Sequence, residues 1–214
     1  MILIGTTQNL DAWNYYRDLG QSGMKLVCWG SPFDDLEWIR SDNHAGAVLA
    51  TDHLINAGLR QIVCIGSENS LQRQFKERYD GYCEAIHAAG LTPALIEIEE
   101  GLSREEQGRR AVRALKASGQ PFDAIFAVCD ELALGVLREL TETGTRIPQD
   151  CGLIGFAGIR ASAHAMPPLS SIQPDFTAAG AMLVDKLLAV IAGKAHEQRR
   201  VPVSLLARES TRRS

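Results

Sequence analysis

The chain has 214 residues, with 22 Lys and Arg against 26 Asp and Glu, a formal net charge of −4. At 45% hydrophobic and 22% charged residues, it can bury a core as one large α/β domain or as two smaller lobes. The acidic balance excludes the basic face of a free-standing nucleic-acid binder, and no run approaches the ~18 apolar residues of a membrane span.

In chain order, residues 1–5 predict a strand, 10–21 a helix and 25–29 a strand. Residues 42–57 predict a helix that Asp42 or Asn43 can cap and Gly58 ends, because a short polar side chain accepts from the orphan N–H groups of the first turn. A strand at 61–66, a helix at 72–89 and a strand at 94–98 follow. The helix at 103–118 carries Glu105 and Glu106 in its first turn, where the dipole favours acids. Then come strand 124–128, helix 131–143, strand 152–156, helix 176–192 and strand 201–207, with a partly solvated charged tail at 208–214.

Strands 124–128 and 152–156 are apolar throughout. That pattern means burial on both faces, hence a parallel sheet covered by helices. Ligands bind such sheets at the carboxyl ends of the strands, which directs attention to the loops after Gly66, Val128 and Phe156.

The five cysteines, Cys28, Cys64, Cys83, Cys129 and Cys151, are odd in number and mostly sit in apolar runs, without a C-x-x-C pair. They read as reduced core residues of a cytoplasmic protein. The first residues have no basic region followed by a long apolar one, so no signal peptide is expected there.

Catalytic patterns are scarce. There is no G-x-G-x-x-G at a strand-to-helix turn, no phosphate-binding G-x-x-x-x-G-K-[ST] and no G-x-S-x-G elbow. His44 and His53 are nine apart, which suits no metal site on one helix face. These two, with His87, His164 and His196, read as solvated or structural, and the pairs Asp34-Asp35 and Glu99-Glu100 as solvated turns. Binding rather than catalysis is expected, with no cofactor and no metal.

Six segments, in order, carry a resemblance. They are Ser41-Asp-Asn-His-Ala-Gly46 with His53-Leu-Ile-Asn-Ala-Gly-Leu-Arg-Gln-Ile62; Arg78-Tyr-Asp-Gly-Tyr82; Phe122-Asp-Ala-Ile-Phe-Ala-Val-Cys-Asp-Glu-Leu-Ala-Leu-Gly135; Ile147-Pro-Gln-Asp-Cys-Gly-Leu-Ile-Gly-Phe156; Pro168-Leu-Ser-Ser-Ile172; and Ala207-Arg-Glu-Ser-Thr211. Together the chain resembles the sensor part of lactose-repressor/galactose-repressor family transcription regulators. The resemblance implies an α/β fold of the periplasmic-binding-protein-like type I, two Rossmann-like lobes with parallel sheets joined by three crossovers. These map near Asp42, near Gln173 and across residues 201–206. The first lobe would hold residues 1–42 and 174–198 and the second 43–173 and 199–214. Residues 1–5 are similar to the third strand of the family's first lobe, so that lobe is expected to be incomplete and the helix-turn-helix head and hinge absent.

By the same resemblance, the chain senses a small carbohydrate or sugar-acid effector in the inter-lobe cleft of a cytoplasmic repressor. It would meet operator DNA only through the missing head, with a homodimer as the intact assembly. A sugar-binding protein of a transport system is the alternative, and an α/β enzyme the third reading. Arg78 falls where the family's arginine bonds its ligand, and that role is favoured over a surface arginine because Gly81 and Tyr82 complete the motif. Gln72 and Gln74 occupy positions that tune ligand choice, and Gln173 lies at a crossover. Trp29 either stacks on a ligand or fills the rim; Asp42 either accepts from a ligand or caps its helix, the cap being favoured.

Two departures stand out. Cys129 replaces the family's frequent Asn, and Ala157 replaces the Asp that grips vicinal hydroxyls. Losing both acceptors weakens discrimination for a neutral hexose, so an acidic or less hydroxylated effector is expected, with Arg78 as counter-charge. Asp130 is expected to cap the helix that follows its strand.

Overall fold

The computed structural model describes residues 1–4, 9–31, 35–70, 72–194 and 197–212. Gly5 of the first expected strand, Asp34, His196 and the last two tail residues lie outside the described residues.

A smaller sheet holds four parallel strands in the order β1 (Ile2–Ile4), β2 (Val27–Trp29), β3 (Trp38–Ser41) and β9 (Arg199–Val201). Helices α1 (Leu10–Gln21) and α7 (Phe176–Ile191) accompany it. Val27, Ile39 and Val201 pack with Ala179 and Leu183 of α7, while Cys28 packs with Trp13 of α1 and Leu36. The period-2 alternation of β2 therefore feeds two opposite faces, as a buried parallel strand requires. β1 is an outer strand, as is β9 at the other edge, and Ile4 is 79% exposed.

The larger sheet runs β10 (Val203–Leu206), β8 (Ser170–Pro174), β7 (Gly152–Phe156), β6 (Ala124–Ala127), β4 (Ile62–Gly66) and β5 (Leu95–Glu97), parallel except for β10. Helices α2 (Asn43–Asn56), α3 (Arg73–Ala88), α4 (Arg104–Ser118) and α5 (Asp130–Glu142) connect its strands, with a short α6 (Arg160–Ala163) after β7. Its core is continuous, from Leu54 and Tyr82 through Phe126 to Phe156. Tyr82 is buried because its hydroxyl has partners: it donates to the Ile62 carbonyl at 2.7 Å and accepts from the Ala94 N–H at 2.9 Å. α2 and α3 approach so closely that a Cβ on Gly81 would lie 2.3 Å from the His44 carbonyl oxygen.

The chain passes between the two sheets at Asp42, Asp175 and Pro202. Two backbone bonds hold these crossings side by side: Asp42 N–H to Val201 O and Asp175 N–H to Pro202 O, both 2.9 Å.

Several elements differ from expectation. The expected strand at 201–207 is two strands in different sheets, divided by Pro202, which has no N–H to continue a ladder. Residues 199–201, placed with the second lobe in the sequence division, pair with β3 in the smaller sheet. β3, β8 and α6 were not expected. No helix among the described residues is long and apolar enough to cross a membrane.

Candidate functional site

A cavity of about 250 Å³ lies where the carboxyl ends of both sheets face each other. From the smaller sheet come Trp29 and Gly30 after β2 and Arg40 and Ser41 at the end of β3. From the larger come Gln72, Gln74, Phe75 and Arg78 around the start of α3, Arg104 opening α4, Cys129, Asp130 and Glu131 at the start of α5, and Ala157 and Ile159 beyond β7. Asn43, first residue of α2, completes the wall.

Arg78 is the most constrained group. It is 8% exposed, and its Nε and Nη2 donate to Asn43 Oδ1 at 3.0 and 2.8 Å, while Nη1 donates to the Val128 carbonyl at 2.6 Å. Its guanidinium lies over the Phe156 ring, 3.7 Å from the centroid. Burial lowers its pKa to about 10, so the group remains a cation at neutral pH. A planar fork fixed on three sides is preorganised, and ordering it costs a ligand little.

Asn43 links this arginine to a second set of charges. Its Nδ2 donates to Glu77 Oε2 at 2.8 Å. Glu77 also accepts from Arg40 Nη1 at 3.0 Å and from Arg200 through both Nη atoms at 3.1 Å. Burial by itself would raise the Glu77 carboxyl; the bonds from Arg200 and Asn43 outweigh it and hold the group below its ordinary value. Arg40 further donates to the Ser31 carbonyl at 3.0 Å and stacks over Trp38 at 3.7 Å. Arg104 donates to Gln72 Oε1 and Gln107 Oε1, both at 2.7 Å, and sits over Phe75.

The cavity brings together Trp29, Gln72, Gln74, Arg78, Cys129 and Ala157 of the residues singled out in the sequence. It does not reach Asp42 or Gln173. Asp42 caps α2 by accepting from the Ala45 N–H at 3.3 Å and borders a separate hollow with His44 and Arg73. Gln173 packs against Gly158 and lines a groove with Phe176 and Pro202. Asp130 does not cap its helix: Cys129 is the N-cap. The buried Asp130 carboxylate instead accepts from Ile159 N–H, Ser162 Oγ and Ser171 Oγ at 2.9, 2.8 and 2.6 Å, tying the loop after β7 to α5. That loop holds Ala157 at φ 129°, a conformation L residues rarely adopt.

Sequence reasoning passed over Arg40, Phe75, Arg104 and Glu131. Arg40 belongs to the unrecognised β3, and Arg104 is one of several charged residues at a helix start. Asn43 was visible beside Asp42, though only as a cap.

The family model described as a periplasmic binding protein-like domain matches residues 51–211. The chain is 35% identical over 181 residues to the HTH-type transcriptional repressor PurR of Glaesserella parasuis, covering 85% of this chain and 53% of that protein. It is 30% identical over 198 residues to the HTH-type transcriptional regulator CelR of Thermobifida fusca, covering 90% and 58%. The chain thus spans about half the length of the curated relatives it matches. Among solved structures, it aligns with a CelR–cellobiose complex at TM-score 0.82 and 27% identity, over 98% of this chain and 64% of that one. It aligns with a LacI family regulator from Enterococcus faecium with bound ribose at TM-score 0.82 and 26% identity, over 98% and 78%.

Proposed function

Since the chain belongs to the LacI family of regulators through its periplasmic binding protein-like domain, we propose that it is the effector-sensing module of a DNA-binding transcriptional repressor. The effector is a small sugar-like molecule carrying an acidic group, bound between the two sheets. The observation that carries this is a fixed cationic fork, Arg78, facing a cavity walled by both sheets.

Three features favour an acidic and compact ligand. Arg40, Arg78 and Arg104 line the cavity against two carboxylates, Glu131 and Asp130, and Asp130 is taken up by three hydrogen bonds to the protein. Ala157 presents only a methyl group there and Cys129 a thiol, neither of them an acceptor suited to vicinal hydroxyls. The volume of about 250 Å³ falls under the ~300–1,000 Å³ of drug-sized sites, which favours a single ring over a disaccharide such as that bound by CelR. Binding without conversion fits the same lining: burial raises the Cys129 pKa, and a protonated thiol is a poor nucleophile.

In mechanism, the ligand bridges residues 1–41 and 176–201 on one side and the remainder on the other, with the crossings at Asp42, Asp175 and Pro202 as the pivot. It alters operator affinity only by the difference in its affinity for the closed and open arrangements. The regulator acts as a homodimer in the cytoplasm, and DNA is engaged by the whole protein rather than by this module.

Calorimetry of the chain with galacturonate and gluconate beside ribose, glucose and cellobiose tests the ligand class. Binding of a sugar acid that is lost in Arg78→Ala is expected. Tight binding of a plain neutral hexose, or no heat from any of the five, refutes it.

A further inference from the structure

Arg40 and Arg200 are direct neighbours in the parallel ladder of β3 and β9. Two like charges side by side on a sheet repel, and both lie on the smaller sheet. The carboxylate that answers them, Glu77, comes from α3 on the larger one. Its side chain is 12% exposed and that of Arg40 is 3% exposed, so the pair is shielded from solvent, where charge interactions are strongest.

The same carboxylate accepts from Asn43, whose carbonyl oxygen holds Arg78. One acid therefore touches a cavity arginine from the smaller sheet directly and the cavity arginine of the larger sheet through a single amide. Arg73, one turn earlier on α3, approaches Glu77 at 3.9 Å. Asp42 adds a second negative charge near Arg200.

Resting on the reading of the cavity as an effector site, we propose that Glu77 is a latch between the two lobes, a positioning residue that sets how far the cavity opens and how far Arg40 stands from Arg78. Parting the sheets breaks the Arg40–Glu77 and Arg200–Glu77 pairs together and removes that carboxylate from the neighbouring like charges on β3 and β9. The Asn43 amide stays on Glu77, since α2 and α3 both belong to the larger lobe, so Arg78 keeps its brace while Arg40 moves away. A ligand that joins Arg40 to Arg78 closes the same loop of contacts from the other side. Ligand binding and the Glu77 pairs then bias the same closed arrangement.

The cavity holds its own reporter. Cys129, half-buried, lines it; Cys83, equally half-buried, packs on the core from α3 away from the cavity, and Cys64 and Cys151 are buried. Iodoacetamide labelling of the ligand-free chain, resolved by peptide mass spectrometry, reads opening at Cys129 against these internal references. Glu77→Gln removes both ion pairs; Arg200→Gln, at a side chain 40% exposed, removes one without burying an unpaired charge. We expect Cys129 to label about tenfold faster in Glu77→Gln, the ratio for a 1.4 kcal/mol shift of the opening equilibrium, and severalfold faster in Arg200→Gln, with Cys83 changing less than twofold. Added salt should speed Cys129 labelling in the wild type more than in Glu77→Gln. Equal Cys129 rates in all three proteins overturn the latch. A parallel rise at Cys64 and Cys151 in both variants also overturns it, because Glu77 would then stabilise the fold at large. The assay uses no ligand, so its failure leaves the effector reading intact, and a chain that binds no sugar acid can still show the latch.

Discussion

Replacing Gly81 by Ala sets two effects against each other. In the interior of a helix such as α3, Ala is favoured over Gly by about 1 kcal/mol. Here the new Cβ would lie 2.3 Å from the His44 carbonyl oxygen and 3.1 Å from the Ala47 Cβ. Non-bonded carbon contacts want roughly 3.5 Å, so α2 and α3 must part by about 1 Å. The obstacle is helix backbone, which cannot rotate aside as a long side chain would. Overpacking of this kind costs about 1–3 kcal/mol, occasionally more, and separating the helices also lengthens the Asn43–Arg78 bonds, since Asn43 opens α2 and Arg78 lies on α3. The net expectation is a loss of about 2 kcal/mol, or about 4–8 °C in Tm for a chain of this size. Thermal unfolding followed by circular dichroism measures it. A variant as stable as the wild type, or more so, would refute the argument that this crossing fixes the Arg78 brace.

Three further outcomes are expected. Arg78→Ala strands Asn43 Oδ1 and the Val128 carbonyl and should cost about 1–3 kcal/mol in urea unfolding; Arg78→Lys should recover less than half, because one ammonium cannot reproduce a fork bonded on two sides. For pH, Glu77 is faced by Arg40 from β3, Arg200 from β9, Asn43 from α2 and Arg73 from α3. Its folded pKa is depressed, so its stabilisation is present above the unfolded value of 4.5 and is lost as pH falls through the folded value; the Tm gap between wild type and Glu77→Gln should narrow as the pH is taken below that unfolded value, and a gap independent of pH would count against the assignment. Finally, Ile4 at 79% exposure on outer strand β1 and the α7 stripe of Phe176, Val184, Leu188 and Ile191 at 49–59% make an apolar edge that invites pairing. Sedimentation of this 214-residue chain should show concentration-dependent association, weakened about tenfold by Ile4→Lys with Leu188→Glu, a change of about 1.4 kcal/mol.

Elements whose cause is local could be read along the chain. α1 spans residues 10–21 and β7 spans 152–156, both as expected. Ser103 caps α4 by accepting from the Glu106 N–H, and Gly119 closes that helix at φ 70°. A cap, a stop and an apolar run act within a few residues, so the sequence displays them. The strands it hid lack a continuous apolar run: Trp38–Ser41, Ser170–Pro174 and Arg199–Val201. β9 exists because β3, some 160 residues earlier, offers it a ladder, and nothing within its own three residues asks for a strand. The site divides the same way. Arg78, Gln72 and Cys129 could be picked out from a short motif or a strand end, and the cavity holds all three. Arg40 and Arg104, the Glu77 bridge and the forward reach of Asp130 to Ser171 became visible only in three dimensions. Those contacts join groups from different strands and helices, and charge and hydrogen bonding depend on distance in space, which chain order does not carry.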